Sequence, residues 1–351
     1  MRRWLQARIR FCDRVRCRRL PTSYGFCREL IAAFRRDALA GVLVILAGIG
    51  LARAEPMKSV AITFDDLPFA GAVGARLGNI SPVEVAARNS EVLATLRRHR
   101  APAIGFVVET AVQGVGRPAT GILEAWTREG LSLGNHGYAH IDTNSLDLAG
   151  IRAEIEQGET TIRPLMAKAG QPLRFMRFAM NHTGDTPEKR DGIAALLAER
   201  GYEPAASTID SSDYIFEQAY GRALAAGAVG DAGKIRAAYL DHTDRQIDYY
   251  AGLSRQVLGH EPPQVLLLHL NRLNAAALEE ILMLFERKGY RFVTLAEAQA
   301  DPAYGQPVRF VTHFGPMWAY RWARDRGIAV DGKREVEPPQ WVVDYQSSQA
   351  K

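Results

Sequence analysis

From residue 59 onward, short apolar runs alternate with longer stretches whose apolar positions recur three and four apart. Ser59–Phe64 (SVAITF) is rich in β-branched and aromatic residues and reads as a buried strand. Pro82–Arg98 reads as a helix, with proline in its first turn and arginines in its last. Ala103–Val108 predicts a second strand, and the helix Gly121–Arg128 leads into a third at Leu131–Asn135. Leu146–Ala169 has the spacing of one long helix. Further strands fall at Leu173–Phe178, Ala205–Ile209, Val265–His269 and Tyr290–Thr294, separated by helices at Glu188–Arg200, Ile247–Leu258 and Asn274–Lys288. This alternation predicts a parallel sheet, and its length favours a closed or nearly closed α/β barrel over residues 55–300. Residues 301–351 lose the alternation and gain prolines and tryptophans. They are read as a C-terminal extension packed on the barrel, with Trp318 and Trp322, one helical turn apart, docking it.

Ahead of the alternation lies a segment of different composition. The chain of 351 residues carries a formal net charge of +5. Residues 1–54 hold 12 arginines against three acids, so the remainder is mildly acidic, at −4. An acidic body lacks the basic face that a nucleic-acid binder needs, and no nucleic-acid partner is expected. The arginine-rich start, the apolar run Ala38–Ala52 and the small residues of Ala52-Arg53-Ala54 have the layout of a secretory signal peptide cleaved before Glu55. The expectation is export to the periplasm or the extracellular space, with inner-membrane contact only if the leader is retained. Arg35-Arg36 also fits a twin-arginine signal. Cys12, Cys17 and Cys27 all lie in this leader, which excludes cysteine metal sites and disulfides from the body.

The candidate chemistry sits at predicted strand ends. Asp65-Asp66 follows the first strand, His136 and His140 follow the third, and His269 ends the strand Val265–His269. In a parallel barrel the C-terminal ends of the strands meet on one face, so these residues can converge. Two histidines four apart can reach one cation if the chain turns helically after the strand. With Asp66 they form a His₂-carboxylate set that leaves positions open for water and substrate, as in a catalytic zinc centre. Asp65 is then placed to act as base, and His269 to protonate a leaving nitrogen. Gly137 directly after His136 excludes the H-E-x-x-H pattern of zinc proteases.

These segments resemble the polysaccharide deacetylase family (carbohydrate esterase family four). Thr63-Phe64-Asp65-Asp66-Leu67-Pro68 is similar to its first motif and His136-Gly137-Tyr138-Ala139-His140 to its second. Arg177-Phe178-Ala179-Met180-Asn181, Thr208-Ile209-Asp210 and Leu266-Leu267-Leu268-His269 resemble the third, fourth and fifth, in the same order. The resemblance covers about residues 58–300 and implies a distorted parallel (β/α) barrel with fewer than eight repeats. It also implies roles: Asp65 as catalytic base, Asp66, His136 and His140 as ligands of a divalent metal, commonly Zn²⁺, and His269 as general acid. Arg177 would hold Asp65, Asp210 would orient His269, and the Met180 backbone N–H would stabilise the oxyanion. The implied activity is metal-dependent hydrolysis of N-acetyl groups on a carbohydrate.

Three positions depart from the family pattern. Leu67 stands in place of glycine, Gly137 in place of a hydroxyl residue, and Ala179 in place of proline. None removes a reacting group. The same site could serve a non-sugar C–N amide hydrolase, while loss of catalysis would leave an envelope carbohydrate-binding protein. Around the motifs, Asp185 or Thr186 is read as a helix cap and His182 as a loop residue within reach of substrate. Tyr138 and Phe178 flank motif residues, and one of Asp213, Tyr214 and Phe216 is a candidate for a subsite. Asp241-His242 is read as a solvated loop.

Overall fold

The computed structural model describes residues 57–72 and 80–347. The signal-peptide, twin-arginine and cysteine readings fall outside the described residues. Among the described residues no helix is long and apolar enough to cross a membrane.

The strands are β1 (Ser59–Leu67), β2 (Ala103–Val107), β3 (Ser132–Asn135), β4 (Phe175–Met176), β5 (Glu203–Pro204), β6 (Ile209–Asp210), β7 (Gln264–His269) and β8 (Arg291–Val293). They pair in the order β5-β4-β3-β2-β1-β7-β6, with β8 beside the start of β1. Every pairing is parallel. Helices connect all successive strands but β5 and β6, and β1 is buried along its whole length, as in parallel sheets covered on both faces. The fold is a curled, incompletely closed (β/α) barrel with fewer than eight repeats. The ends of the strand path, β5 and β6, flank residues 205–208, which were expected to continue a strand. Their polar groups are satisfied elsewhere: Ala205 N–H donates to Met176 O and Thr208 N–H to Val265 O. Ser207 O accepts from Trp318 N–H, and Ala206 N–H donates to Gln299 Oε1.

Local chemistry sets the helix boundaries. Pro82–His99 starts behind Ser81, whose hydroxyl accepts from Glu84 N–H at 3.1 Å, a common N-cap bond. Its buried face carries Asn89, which accepts the Trp126 indole N–H at 3.0 Å; Trp126 in turn packs edge-on against Phe64 of β1. The expected single helix over 146–169 is two, Leu148–Gly158 and Ile162–Lys168. Thr161 between them gives its N–H and hydroxyl to the buried Glu109 carboxylate at 3.1 and 2.9 Å. A non-local acceptor thus wins over helical continuity, which periodicity cannot register.

The expected helix Ile247–Leu258 begins much earlier and runs Val229–Leu258. Asp241-His242 therefore lies inside a helix rather than in a solvated loop, and His242 is fully buried against Phe216. The helix Trp318–Asp325 buries both Trp318 and Trp322 in the same apolar core as β1 and β7. Trp322 meets Tyr304 edge-on at 5.3 Å.

Candidate active site

Parallel pairing builds the site from β1 and β7. Their register sets Asp65 opposite His269, and Leu270 N–H donates to Asp65 O at 3.0 Å. Two residues two hundred positions apart thereby become neighbours. Arg177, just past β4, is almost fully buried and donates from one terminal nitrogen to Asp65 Oδ1 and Thr63 Oγ1, both at 2.7 Å. Its other terminal nitrogen reaches Ala206 O at 2.9 Å, and its plane lies over the Phe106 ring. Burial alone would raise the Asp65 carboxyl, but the Arg177 charge, then His136 and His269, and the Arg177 hydrogen bond outweigh it. Asp65 is held below the ordinary carboxylate range and is ionised at neutral pH.

Asp66 follows with φ +64, a left-handed conformation that costs a non-glycine residue energy and is tolerated at sites that exploit it. Its Oδ1 lies 3.4 Å from the Nε2 atoms of both His136 and His140. His136 Nδ1 sits 2.7 Å from Arg177 O, so Nδ1 carries the proton and Nε2 presents its lone pair to Asp66. The two imidazoles come together without a helical turn. Gly137 at φ +87 and His140 at φ +58 fold the segment into a bend, with ring centroids 5.0 Å apart. Burial lowers both histidine pKa values and so favours the neutral, ligating form.

One ligating atom from each of Asp66, His136 and His140 lies within 4.8 Å of the others. Asp66 Oδ1 is buried and has no hydrogen-bond partner. A carboxylate oxygen facing two imidazole lone pairs is electrostatically poor as it stands and satisfied by a cation. The donor set therefore fits a divalent metal.

The bend owes its shape to Glu154, which the sequence reading missed. Its carboxylate accepts Tyr138 N–H at 3.1 Å and Ala139 N–H at 3.0 Å, while Asn135 Oδ1 accepts Gly137 N–H at 2.8 Å. A side chain at Gly137 would meet Glu154 Oε2 at 2.9 Å. The departure at Gly137 thus has a structural counterpart: the carboxylate occupies the space beside it and tethers the ligand loop.

The partner of His269 is Asp213, which corrects the assignment to Asp210. Asp213 Oδ1 lies 2.8 Å from His269 Nδ1, and Oδ2 accepts His269 N–H at 2.7 Å. Asn271 and Asn274 complete the shell of this fully buried carboxylate. The helix Asp213–Ala225 starts at that residue, which turns its side chain towards β7, whereas Asp210 stays on β6 and, among the described residues, accepts from Ser212 N–H at 2.8 Å rather than from His269. The available signal was a second acid three residues after the first. Burial opposes a charged His269, but the Asp213 charge and hydrogen bond, with Asp66 and Asp65, raise its pKa to about 10. Burial also pushes Asp210 up to about 6.

These groups face a cleft of about 430 Å³, lined by Asp65, His136, His140, Met180, Asp210, Tyr214 and His269. Gly315 and Met317 add a wall from the C-terminal segment that sequence reasoning did not place there. His182 is not part of the lining; its ring is engaged by Asp142 at 2.6 Å. Phe178 and Phe216 are buried packing residues, while Tyr214 stands edge-on to His269. Thr186 caps the helix Pro187–Arg200.

A search of curated proteins found no significant match. Among solved structures, a family 4 carbohydrate esterase from Streptomyces lividans in complex with acetate is 19% identical, with a TM-score of 0.44 over 69% of this chain and 95% of that one. A polysaccharide deacetylase from Bacillus cereus is 21% identical, with a TM-score of 0.46 over 68% and 91%. A family 4 pseudoenzyme from Bacillus anthracis is 16% identical, with a TM-score of 0.46 over 69% and 65%. Residues 52–193, which carry the first three motifs, match the family model of polysaccharide deacetylase.

Proposed function

We propose that this protein is a metal-dependent hydrolase that removes acetyl groups from N-acetylated sugars of a polysaccharide or oligosaccharide. The observation that carries the reading is the convergence of an ionised buried carboxylate (Asp65) and a charged histidine (His269) in one cleft, with His136 and His140 in its lining and Asp66 clustered against both imidazoles. Base and acid sit on neighbouring strands in opposite charge states, as hydrolysis of an amide requires.

When bound, a divalent cation such as Zn²⁺ supplies Lewis acidity that makes water a better nucleophile and polarises the acetyl carbonyl. Asp65 accepts the proton of the attacking water, and Arg177 keeps Asp65 ionised and aimed. The Met180 N–H donates to the oxygen that gains charge as the carbonyl carbon becomes tetrahedral. His269, positioned through Nδ1 by Asp213, gives its Nε2 proton to the leaving nitrogen as the C–N bond breaks. The products are acetate and a free amino sugar. The leader read in the sequence adds a location outside the cytoplasm.

The reading is tested by measuring acetate released by the purified protein from a panel of N-acetylated glycans. The expected result is release that chelation abolishes and Zn²⁺ restores. Turnover that is indifferent to chelation would exclude the metal role. Metal binding without release from any glycan would move the assignment to a non-sugar amide.

A further inference from the structure

The C-terminal segment does more than cover the barrel. Met180 and Asn181 are consecutive non-glycine residues at φ +57 and +56. Such a pair is strained and persists only where its surroundings over-determine it. Ala179 imposes no ring constraint on the preceding backbone. The restraint comes from elsewhere in the chain. Arg321, on the helix Trp318–Asp325, is 1% exposed and donates to Asn181 O and Thr183 Oγ1, both at 2.6 Å, and to Pro316 O at 2.9 Å.

Among the described residues no carboxylate forms a salt bridge with Arg321, although its guanidinium lies 4.7 Å from the centre of the Trp318 ring. A buried charge directed at two carbonyls and a hydroxyl is a costly way to add stability. It is an effective way to fix three oxygens in space. The opposite side of the turn is closed by Gly315, where any side chain would overlap the Met180 carbonyl oxygen. The same segment is tied to the site's rim by Asn144 Nδ2 donating to His313 O at 3.0 Å, and to residue 207 through the Trp318 N–H.

We infer that Arg321 is a positioning residue: with Gly315 it clamps the Met180–Asn181 turn and so fixes the backbone donor that faces the developing oxyanion. The inference rests on the role proposed for Met180. It makes the C-terminal segment a working part of the active site rather than an appendage. An amide that is preorganised before reaction contributes chiefly to the transition state. Disturbing it therefore lowers kcat and leaves KM and metal content nearly unchanged.

The test compares the full chain with its Arg321→Lys and Arg321→Ala forms, charged with Zn²⁺, on an N-acetylglucosamine oligomer. Losing a whole oxyanion donor costs about 10²–10³-fold in kcat, so a misplaced one is expected to cost at least tenfold. KM and bound metal should stay within about twofold, and added guanidinium ion should recover part of kcat in Arg321→Ala. Amide hydrogen exchange of residues 179–183 is read in parallel and should quicken, while exchange in β1 and β7 stays slow. If Arg321→Ala does not fold, Arg321→Lys and Gly315→Ala carry the same comparison. A folded Arg321 variant with undiminished kcat overturns the inference, as does a loss that merely follows loss of metal. If the parent protein releases no acetate, the proposed function falls and exchange alone decides. Faster exchange at 179–183 then upholds the clamp, and unchanged exchange overturns it.

Discussion

Replacing Asp213 with Asn separates two acids that the sequence motif leaves side by side. His269 rises from an ordinary 6.5 to about 10, and the Asp213 charge and hydrogen bond are the leading favourable causes, ahead of Asp66 and Asp65. A rise of that size corresponds to roughly 5 kcal/mol of preference for the imidazolium. Asn keeps the shape but loses the charge, while the burial that disfavours a charged ring remains. The His269 pKa should therefore fall to its ordinary value or below. At pH 8 a histidine of ordinary pKa is about 3% protonated, so turnover limited by the general acid should drop about 30-fold, against severalfold at pH 7. The assay is kcat for acetate release across pH 5.5–9.5, with Asp210→Asn as the comparison. A cation beside Asp66 draws every profile down alike, so the difference between variants carries the test. The alkaline limb should move to lower pH in Asp213→Asn and stay put in Asp210→Asn, because Asp210 accepts from Ser212 N–H while Asp213 holds His269. A limb that moves in Asp210→Asn instead would refute the assignment of Asp213.

Glu154→Ala removes the acceptor of two backbone N–H groups in the ligand loop and should weaken Zn²⁺ binding by about 10–100-fold; competition with a chromogenic chelator measures it, and unchanged affinity would show that the loop holds itself. Arg177→Met strands the buried Asp65 carboxylate and should cost about 3–5 kcal/mol of stability in urea unfolding, with the acid limb of any surviving activity moved to higher pH. His242 is buried and drawn down to about 4, chiefly by burial. Between pH 6.5 and 4 the unfolded chain binds its proton more readily, so stability falls as pH drops, by about 2 kcal/mol at pH 5 from this residue alone. His242→Leu should abolish that loss, and it should not lower stability at pH 7, since neither ring nitrogen has a partner there. Identical pH dependence of the two unfolding free energies would show that His242 is not responsible.

The sequence alone determined which candidate groups the fold brings to one face. Asp65, Asp66, His136 and His269 each stand at or just past the end of an apolar strand, and parallel pairing sends all such ends to one side. Arg177 follows a strand in the same way, though its pairing with Asp65 came only as what the resemblance to the family's third motif implies. These are local patterns, fixed by the period of apolar positions and by where each run stops. What only the tertiary structure decided is how backbone and second-rank side chains are satisfied across long separations. Thr161 breaks a helix for the sake of Glu109, Glu154 rather than a loop hydroxyl tethers the ligand bend, and Asp213 rather than Asp210 reaches His269. His242 is buried by a helix that begins before its apolar period becomes visible. Arg321, some 140 residues beyond the turn it restrains, looks in sequence like any surface arginine. Hydrogen-bond satisfaction in a buried site is set by three-dimensional proximity, and a one-dimensional pattern carries periodicity but not that proximity.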